Sequence, residues 1–354
     1  MVKAEKPGFL EKITSLLMLV FFTTLYSTLA LIRLAFMWFQ KGHALFEIKP
    51  HLKPKTLDGW MHGFLDLTEI KMHYVETGDA SKPLMLFVHG FPEFWYSYRH
   101  QLKYFERNYH CVAVDLRGYG DSSRPTSVAS YGVKTLVHDL IEAIEKLGRK
   151  KAIVVAHDWG ALLAWNLALT RPEMVEKLVI LNVPHPLAFR KQFKTGFKQL
   201  FKSWYMFLFQ APFLPELLLS LEDFKMLISM FKGKKSGLVH SENFTDDDVE
   251  AWKYTFSKLD AFKGPINYYR ALLRQIDAPK HEDWTVKPKT LIIWGDQDAA
   301  LAVEGAIDSV NFCENGVLKR IPDASHWVQQ DVPDVVNSLI DEFLNENDLP
   351  KSNI

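Results

Sequence analysis

Five short apolar runs constrain the fold more than any other feature of this chain. They are Leu84-Met-Leu-Phe-Val88, Cys111-Val-Ala-Val114, Ile153-Val-Val155, Leu178-Val-Ile-Leu181 and Thr290-Leu-Ile-Ile-Trp294. Each is too short for a helix and none alternates polar with apolar, so each reads as a strand buried on both faces. Between them comes helical spacing, clearest at Val133, Leu136, Val137, Leu140, Ile141 and Ile144, with Gly148 placed to end that helix. Val317–Ile321 adds a strand, and the alternating stretches Phe64–Ile70 and Lys71–Val75 add two at the start. Strands separated by helices predict a mostly parallel α/β sheet of eight strands flanked by helices.

Two stretches break this rhythm. From Leu187 to Trp284 there is no buried strand run, only helical patterning rich in aromatic residues, which predicts a helical cap inserted into the sheet domain. From Ile13 to Ile32 the chain carries no charge over about 20 residues, the length that crosses a bilayer core. A cleaved signal peptide would be shorter and would end in a small-residue cleavage site, which is not seen. The chain is therefore divided into a membrane anchor (1–40), a charged, proline-containing tether (41–63), a first core segment (64–186), the cap (187–284) and a second core segment (285–354). Lys3, Lys6 and Lys12 before the span nearly balance Arg33, Lys41, Lys49 and Lys53 after it, with a slight lean to a cytoplasmic catalytic domain. The expectation is a single-pass protein of the endoplasmic reticulum.

The chain has 354 residues and a formal net charge of zero, which offers nothing to nucleic acid. Cys111 and Cys313 are the only cysteines and read as buried, reduced thiols. No phosphate-cradling glycine loop and no clustered metal ligands occur, so neither a cofactor nor a metal is expected. Asn243-Phe-Thr245 fits a glycosylation sequon, but Thr245 followed by three aspartates reads better as a helix start.

The chemistry concentrates in four places that follow strands. Ala156-His157-Asp158-Trp159-Gly160 joins an apolar run to a helical pattern, the strand–turn–helix context of a nucleophile elbow. A carboxylate stands where a serine would serve an esterase. It can attack an electrophilic carbon to form an alkyl ester, which suits epoxides and alkyl halides rather than amides. His89-Gly-Phe-Pro-Glu93 and Asp115–Ser122 follow two earlier strands. Gly295-Asp-Gln-Asp298 follows a later one, and Ser325-His326-Trp327 lies near the C-terminus. Nucleophile, acid, histidine is the chain order of the α/β hydrolases. Taken alone, Asp158 also fits a helix-start residue, and Asp296 competes with Asp298 for the acid role.

These residues resemble the epoxide hydrolases of the α/β-hydrolase fold, in their membrane-anchored, epoxide hydrolase 4-like branch. The resemblance runs from about Phe64 to the C-terminus. It implies that Asp158 is the nucleophile, His326 the base and Asp298 the acid that orients it. It implies an oxyanion hole from the backbone N–H groups of Phe91 and Trp159, a cis Phe91–Pro92 bond, and Trp327, Phe91 and Trp159 lining the substrate pocket. Family members hold the epoxide oxygen with two cap tyrosines, matched here by Tyr205 and Tyr269, although Tyr268 adjoins the second. The implied activity converts a small lipophilic epoxide and water into a vicinal diol through a covalent aspartyl ester. A haloalkane or haloacid dehalogenase, which uses the same nucleophile but needs halide donors, is the alternative. A non-catalytic anchored scaffold is a third.

One cap segment carries a second pattern. Phe189, Phe193, Phe197, Phe201 and Tyr205 recur every four residues, with Lys191, Lys194, Lys198 and Lys202 on a neighbouring face. This predicts an amphipathic helix, its aromatic face on the core and its lysines in water. Contact with a membrane surface is the sharper alternative. Gly196 interrupts the pattern.

Overall fold

The computed structural model describes residues 8–195 and 197–346. Lys3, Lys6 and Gly196 lie outside the described residues. A single eight-stranded sheet forms the centre: β1 (Met61–Asp66), β2 (Lys71–Thr77), β3 (Leu84–Val88), β4 (His110–Val114), β5 (Ala152–His157), β6 (Val175–Leu181), β7 (Lys289–Gly295) and β8 (Gly316–Ile321). Their spatial order is β1-β2-β4-β3-β5-β6-β7-β8. The β1–β2 and β2–β4 pairs are antiparallel and every other pair is parallel. This is the mostly parallel α/β-hydrolase sheet. β3, β4 and β5 are buried along their whole length, as continuous apolar runs in a doubly covered sheet must be. β1 begins at Met61, three residues before the expected start, because its outer face is exposed at a sheet edge where alternation is weakly marked.

Helices α2 (Arg99–Phe105), α3 (Val133–Lys146) and α4 (Asp158–Thr170) connect the central strands after a long N-terminal helix, α1 (Phe9–Lys41). Among the described residues between β6 and β7 no strand of the sheet occurs, and the α-helices are α5 (Pro186–Thr195), α6 (Phe197–Lys202), α7 (Trp204–Leu208), α8 (Leu214–Lys232), α9 (Asp246–Phe256) and α10 (Lys263–Leu273). Then α11 (Val303–Ser309) precedes β8, and α12 (Val328–Asp331) and α13 (Pro333–Asn345) follow it.

Thr245 starts α9 with a reciprocal capping box, its hydroxyl accepting from the Asp248 N–H while the Asp248 carboxylate accepts from the Thr245 N–H. The Asn243 side-chain amide is donated to the Asp331 carbonyl at 2.8 Å, so this asparagine is engaged in packing. Cys111 and Cys313 are both free, Cys111 buried and Cys313 half-buried, and burial pushes each thiol up to about 12.

The basic aromatic stretch is not one helix throughout: a turn at Ser203 separates α6 from α7. Lys191 and Lys198 keep their side chains 58% and 60% exposed, as expected, while pairing with acids of the sheet domain. Lys191 pairs with Asp308 at 3.0 Å and Lys198 with Glu304 at 2.8 Å, both acids on α11. Lys202 turns inward and donates to the carbonyls of Asp298 and Leu301. Phe201 is left outward, 66% exposed. The partners lie about a hundred residues away in sequence, beyond the reach of a periodicity argument.

Candidate active site

Parallel strands in register end along one rim. Val88 lies beside Ala156, His157 beside Leu181, Leu181 beside Ile293, and Gly295 beside Ile321. The residues just past these ends must therefore converge, as they do at the carboxyl edge of open α/β sheets. They are Phe91, Asp158, Asn182, Asp298 and His326.

Asp158 opens α4 directly after β5, with φ at 46°. A non-glycine residue in this left-handed region is strained and is held only by its surroundings. Two glycines permit it. A Cβ on Gly90 would lie 2.3 Å from the Asp158 Cβ, and one on Gly160 would lie 2.1 Å from the Val88 carbonyl oxygen. The small residues around the elbow thus follow from the close approach of the β3 loop to the β5 turn.

The Phe91 N–H donates to Asp158 Oδ1 at 2.7 Å. Trp159 lies in the first turn of α4, where backbone N–H groups have no intrahelical acceptor. The Phe91–Pro92 bond is cis. His326 Nε2 stands 3.6 Å from Asp158 Oδ2, while its Nδ1 meets Asp298 Oδ2 at 2.7 Å. Asp298 also accepts from the Asn182 side chain at 2.8 Å and from the N–H groups of Ala300 and Leu301. Asp296 instead faces outward in a pair with Arg320. Burial disfavours charge on His326, but the Asp298 and Asp158 carboxylates overcome this and raise it to about 10. Burial likewise opposes ionisation of Asp158, yet His326 and the Phe91 N–H hold its carboxyl below the ordinary value.

The cap covers this rim with aromatic rings. The Tyr269 ring meets Trp159 at 5.0 Å, Phe91 at 5.3 Å, Phe209 at 5.0 Å and Tyr205 at 5.7 Å, all edge to face. Burial raises both phenols above their ordinary value near 10, and the Asp158 charge adds to this. Tyr268 points elsewhere: its hydroxyl is donated to the Arg117 carbonyl at 2.9 Å. Trp327 lies beside His326, and its indole N–H is donated to the Met230 and Ser236 carbonyls, closing the cap onto the sheet domain.

Some of the site's support has no evident role in the sequence. Glu93, fully buried, accepts from the Gly90 N–H at 3.0 Å and from the side-chain amides of Gln329 and Gln330. His157 bridges Glu93 at 2.7 Å to the His326 carbonyl at 2.9 Å, so one buried network joins the Phe91 loop to the histidine loop. His89 accepts from the Leu116 N–H and bonds the Gly90 carbonyl, and burial lowers its pKa. The one signal for Glu93 was its place beside Phe91-Pro92. Asn182, in the left-handed region at φ 51°, follows β6 with no motif around it.

Residues 83–333 match the family described as the alpha/beta hydrolase fold. The chain is 51% identical to Epoxide hydrolase 1 of Caenorhabditis elegans over 308 residues, covering 86% of this chain and 76% of that protein. It is 42% identical to Epoxide hydrolase 4 of Mus musculus, covering 78% and 77% respectively. Among solved structures, a variant of an epoxide hydrolase from Bacillus megaterium, complexed with its product (R)-3-[1]naphthyloxy-propane-1,2-diol, superposes with a TM-score of 0.74. It is 31% identical, with 80% of this chain and 100% of that chain covered. Sheet order, rim geometry and these likenesses agree: the chain belongs to the epoxide hydrolases of the α/β-hydrolase fold.

Proposed function

We propose that this protein converts lipophilic epoxides to vicinal diols in two steps. The observation that carries the reading is the pair of cap phenols, Tyr205 and Tyr269, standing together over the Asp158 loop with their rings 5.7 Å apart. Raised phenol pKa values keep both groups protonated, hence donors, at neutral pH.

In the first step Asp158 Oδ2 attacks a ring carbon. Oδ1 is held by the Phe91 N–H, which leaves Oδ2 for bond formation. The ring C–O bond breaks, its oxygen takes a proton from a tyrosine, and the tyrosinate recovers a proton from the His326 imidazolium, which leaves His326 neutral for the second step. In the second step His326 removes a proton from water, and the hydroxide attacks the Asp158 carbonyl carbon. The tetrahedral oxyanion is held by the N–H groups of Phe91 and Trp159. The tetrahedral species collapses to a carboxylic acid and releases the diol oxygen, which takes the proton back from His326; the acid proton then passes to His326, restoring the Asp158 carboxylate and the starting imidazolium.

The electrostatics time these steps. In the free enzyme two carboxylates hold His326 protonated. Esterification removes the Asp158 charge, so His326 loses one support and becomes a base only once there is an ester to hydrolyse. Asp298 remains to orient the ring and stabilise the imidazolium. The aromatic lining suits a lipophilic substrate, and α1 suits an anchor in the membrane where such substrates partition. The proposed location is the endoplasmic reticulum membrane, and the lysines and arginines flanking the span lean slightly to a cytoplasmic catalytic domain.

Tyrosine substitution tests this reading. Tyr205→Phe or Tyr269→Phe should each slow ring opening on the order of 10–1,000-fold, the scale of one acid or oxyanion donor. The double variant should fold and be nearly inactive. Full epoxide turnover by the double variant would sink the assignment, and halide release from alkyl halides with no diol from epoxides would favour a dehalogenase.

A further inference from the structure

We propose that the α6–α8 corner of the cap is immersed, together with α1, in one leaflet of a phospholipid bilayer, so that the Tyr205 side of the pocket draws epoxides from the lipid. This rests on reading α1 as the membrane helix. The observation behind it is that α1 does not stand clear of the catalytic body. Leu19, Phe22, Thr23, Tyr26, Ser27, Ala30, Leu34 and Met37 form one half-buried stripe at three- and four-residue spacing, whereas Ile13–Met18 are exposed.

The stripe packs on the helix that carries Tyr205. Phe22 meets Phe207 at 5.2 Å and Tyr26 meets Trp204 at 6.0 Å. The Thr23 hydroxyl donates to the Phe207 carbonyl at 3.2 Å. Leu208, Ala211 and Leu214 form a small apolar cluster with Tyr26, Ala30 and Leu34. The uncharged run Ile13–Ile32 is about 30 Å long, the thickness of a hydrocarbon core, and Phe22 and Thr23 lie at its middle. A bilayer cannot surround the middle of this run without also reaching the cap surface packed against it.

That cap surface is built for such a setting. The thirteen residues from Ser203 to Pro215 carry no charge. Phe201 is 66% exposed, Trp204 39% and Phe213 81%. Phe213 holds its ring outward with φ at 61°, an uncommon conformation for a bulky residue. At the end of α1 and in the segment after it the contacts turn polar: Lys41 pairs with Glu222, the Lys49 N–H donates to Asp223, and His51 lies between Asp223 and Glu250. The joint surface therefore changes from apolar to charged along one axis, as a surface crossing from lipid to water does.

The test uses the full chain in phosphatidylcholine nanodiscs, with Cys111 and Cys313 replaced by alanine. A single cysteine is placed by Leu16→Cys, Phe201→Cys, Phe213→Cys or Lys319→Cys and labelled with an environment-sensitive fluorophore. Quenching is read from lipids spin-labelled in the acyl chain. Labels at 16, 201 and 213 should be quenched and the label at 319 should not. Quenching at 16 alone overturns the immersed cap and leaves the anchor standing; no quenching at 16 overturns the anchor and the proposal with it. Shielding at 213 that depends on protein concentration and not on labelled lipid would assign this face to a protein contact instead. As an independent readout, Phe201→Glu with Phe213→Glu should raise KM for a long-chain epoxide in the nanodisc roughly tenfold, the scale of taking one aromatic side chain out of an apolar phase. It should leave kcat and KM for a short, water-soluble epoxide unchanged; equal KM values for both substrates in the variant and the parent would contradict the lipid route.

Discussion

The strand rim and the helical cap supply the site in opposite ways. On the rim each chemical group lies within a few residues of a strand end and is gripped by several partners. Asp298 accepts from His326, Asn182 and two backbone N–H groups, and Asp158 is fixed by its turn and by the Phe91 N–H. In the cap, Tyr205 sits half-buried on a five-residue helix between two turns, a helix that packs on α1 through Phe207. The α8 helix behind it is itself interrupted, with Glu222, Asp223 and Phe224 all at positive φ. A rigid rim holds the groups whose mutual geometry must not change through two steps.

This contrast predicts unequal damage. Asp158→Ala should cut diol formation on the order of 10^4–10^6-fold, the range seen when a hydrolase loses its nucleophile or a partner of it, and should abolish any covalent intermediate. Substantial turnover would mean that the rim does not hold the nucleophile. The tyrosine variants described above should cost less singly, because each phenol can partly replace the other.

A smaller effect should appear in stability rather than rate. Asp115, buried after β4, accepts from His73 at 2.7 Å and from the Trp95 and Asp121 N–H groups. Burial resists its ionisation, but these bonds hold its carboxyl down to about 2. A carboxyl depressed on folding stabilises the protein above its unfolded value near 4, and that contribution fades as pH falls from about 4 toward 2. Asp115→Asn should therefore lower stability at pH 7 by about 3–5 kcal/mol, the scale of breaking a buried pair, and flatten the acid limb of the unfolding curve. Parent-like stability with an unchanged acid limb in chemical denaturation would show that this rim loop is held by other contacts.

The same contrast explains what could be read from residues alone. The sheet was legible because doubly buried strands must be apolar runs, and strand ends in register bring distant motifs together. The eight strands emerged with edges shifted by a few residues. In the cap, the two tyrosines entered only through family likeness. Tyr268 and Tyr269 are neighbours on α10, about 100° apart around the helix, and only packing shows that one is spent on the Arg117 carbonyl while the other meets Trp159. The ion-pair partners of Lys191 and Lys198 were not legible because Asp308 and Glu304 are remote in sequence. The stripe on α1 was hidden for a different reason: apolar residues suit lipid and protein equally, so composition marks a span but not what touches it. The Glu93 network joins three segments distant in sequence, the loop after β3, the elbow and the histidine loop, so its partners could not be read locally.

The central claim is that Asp158 becomes an ester which His326 then clears. Attack by Asp158 needs no base, whereas ester hydrolysis does. Intact-mass and peptide mass spectrometry of His326→Gln, incubated with a lipophilic epoxide, should show one added substrate mass on the peptide carrying Asp158, with diol release halted. A variant that neither turns over nor gains mass, or one that carries the label on another residue, would contradict the account.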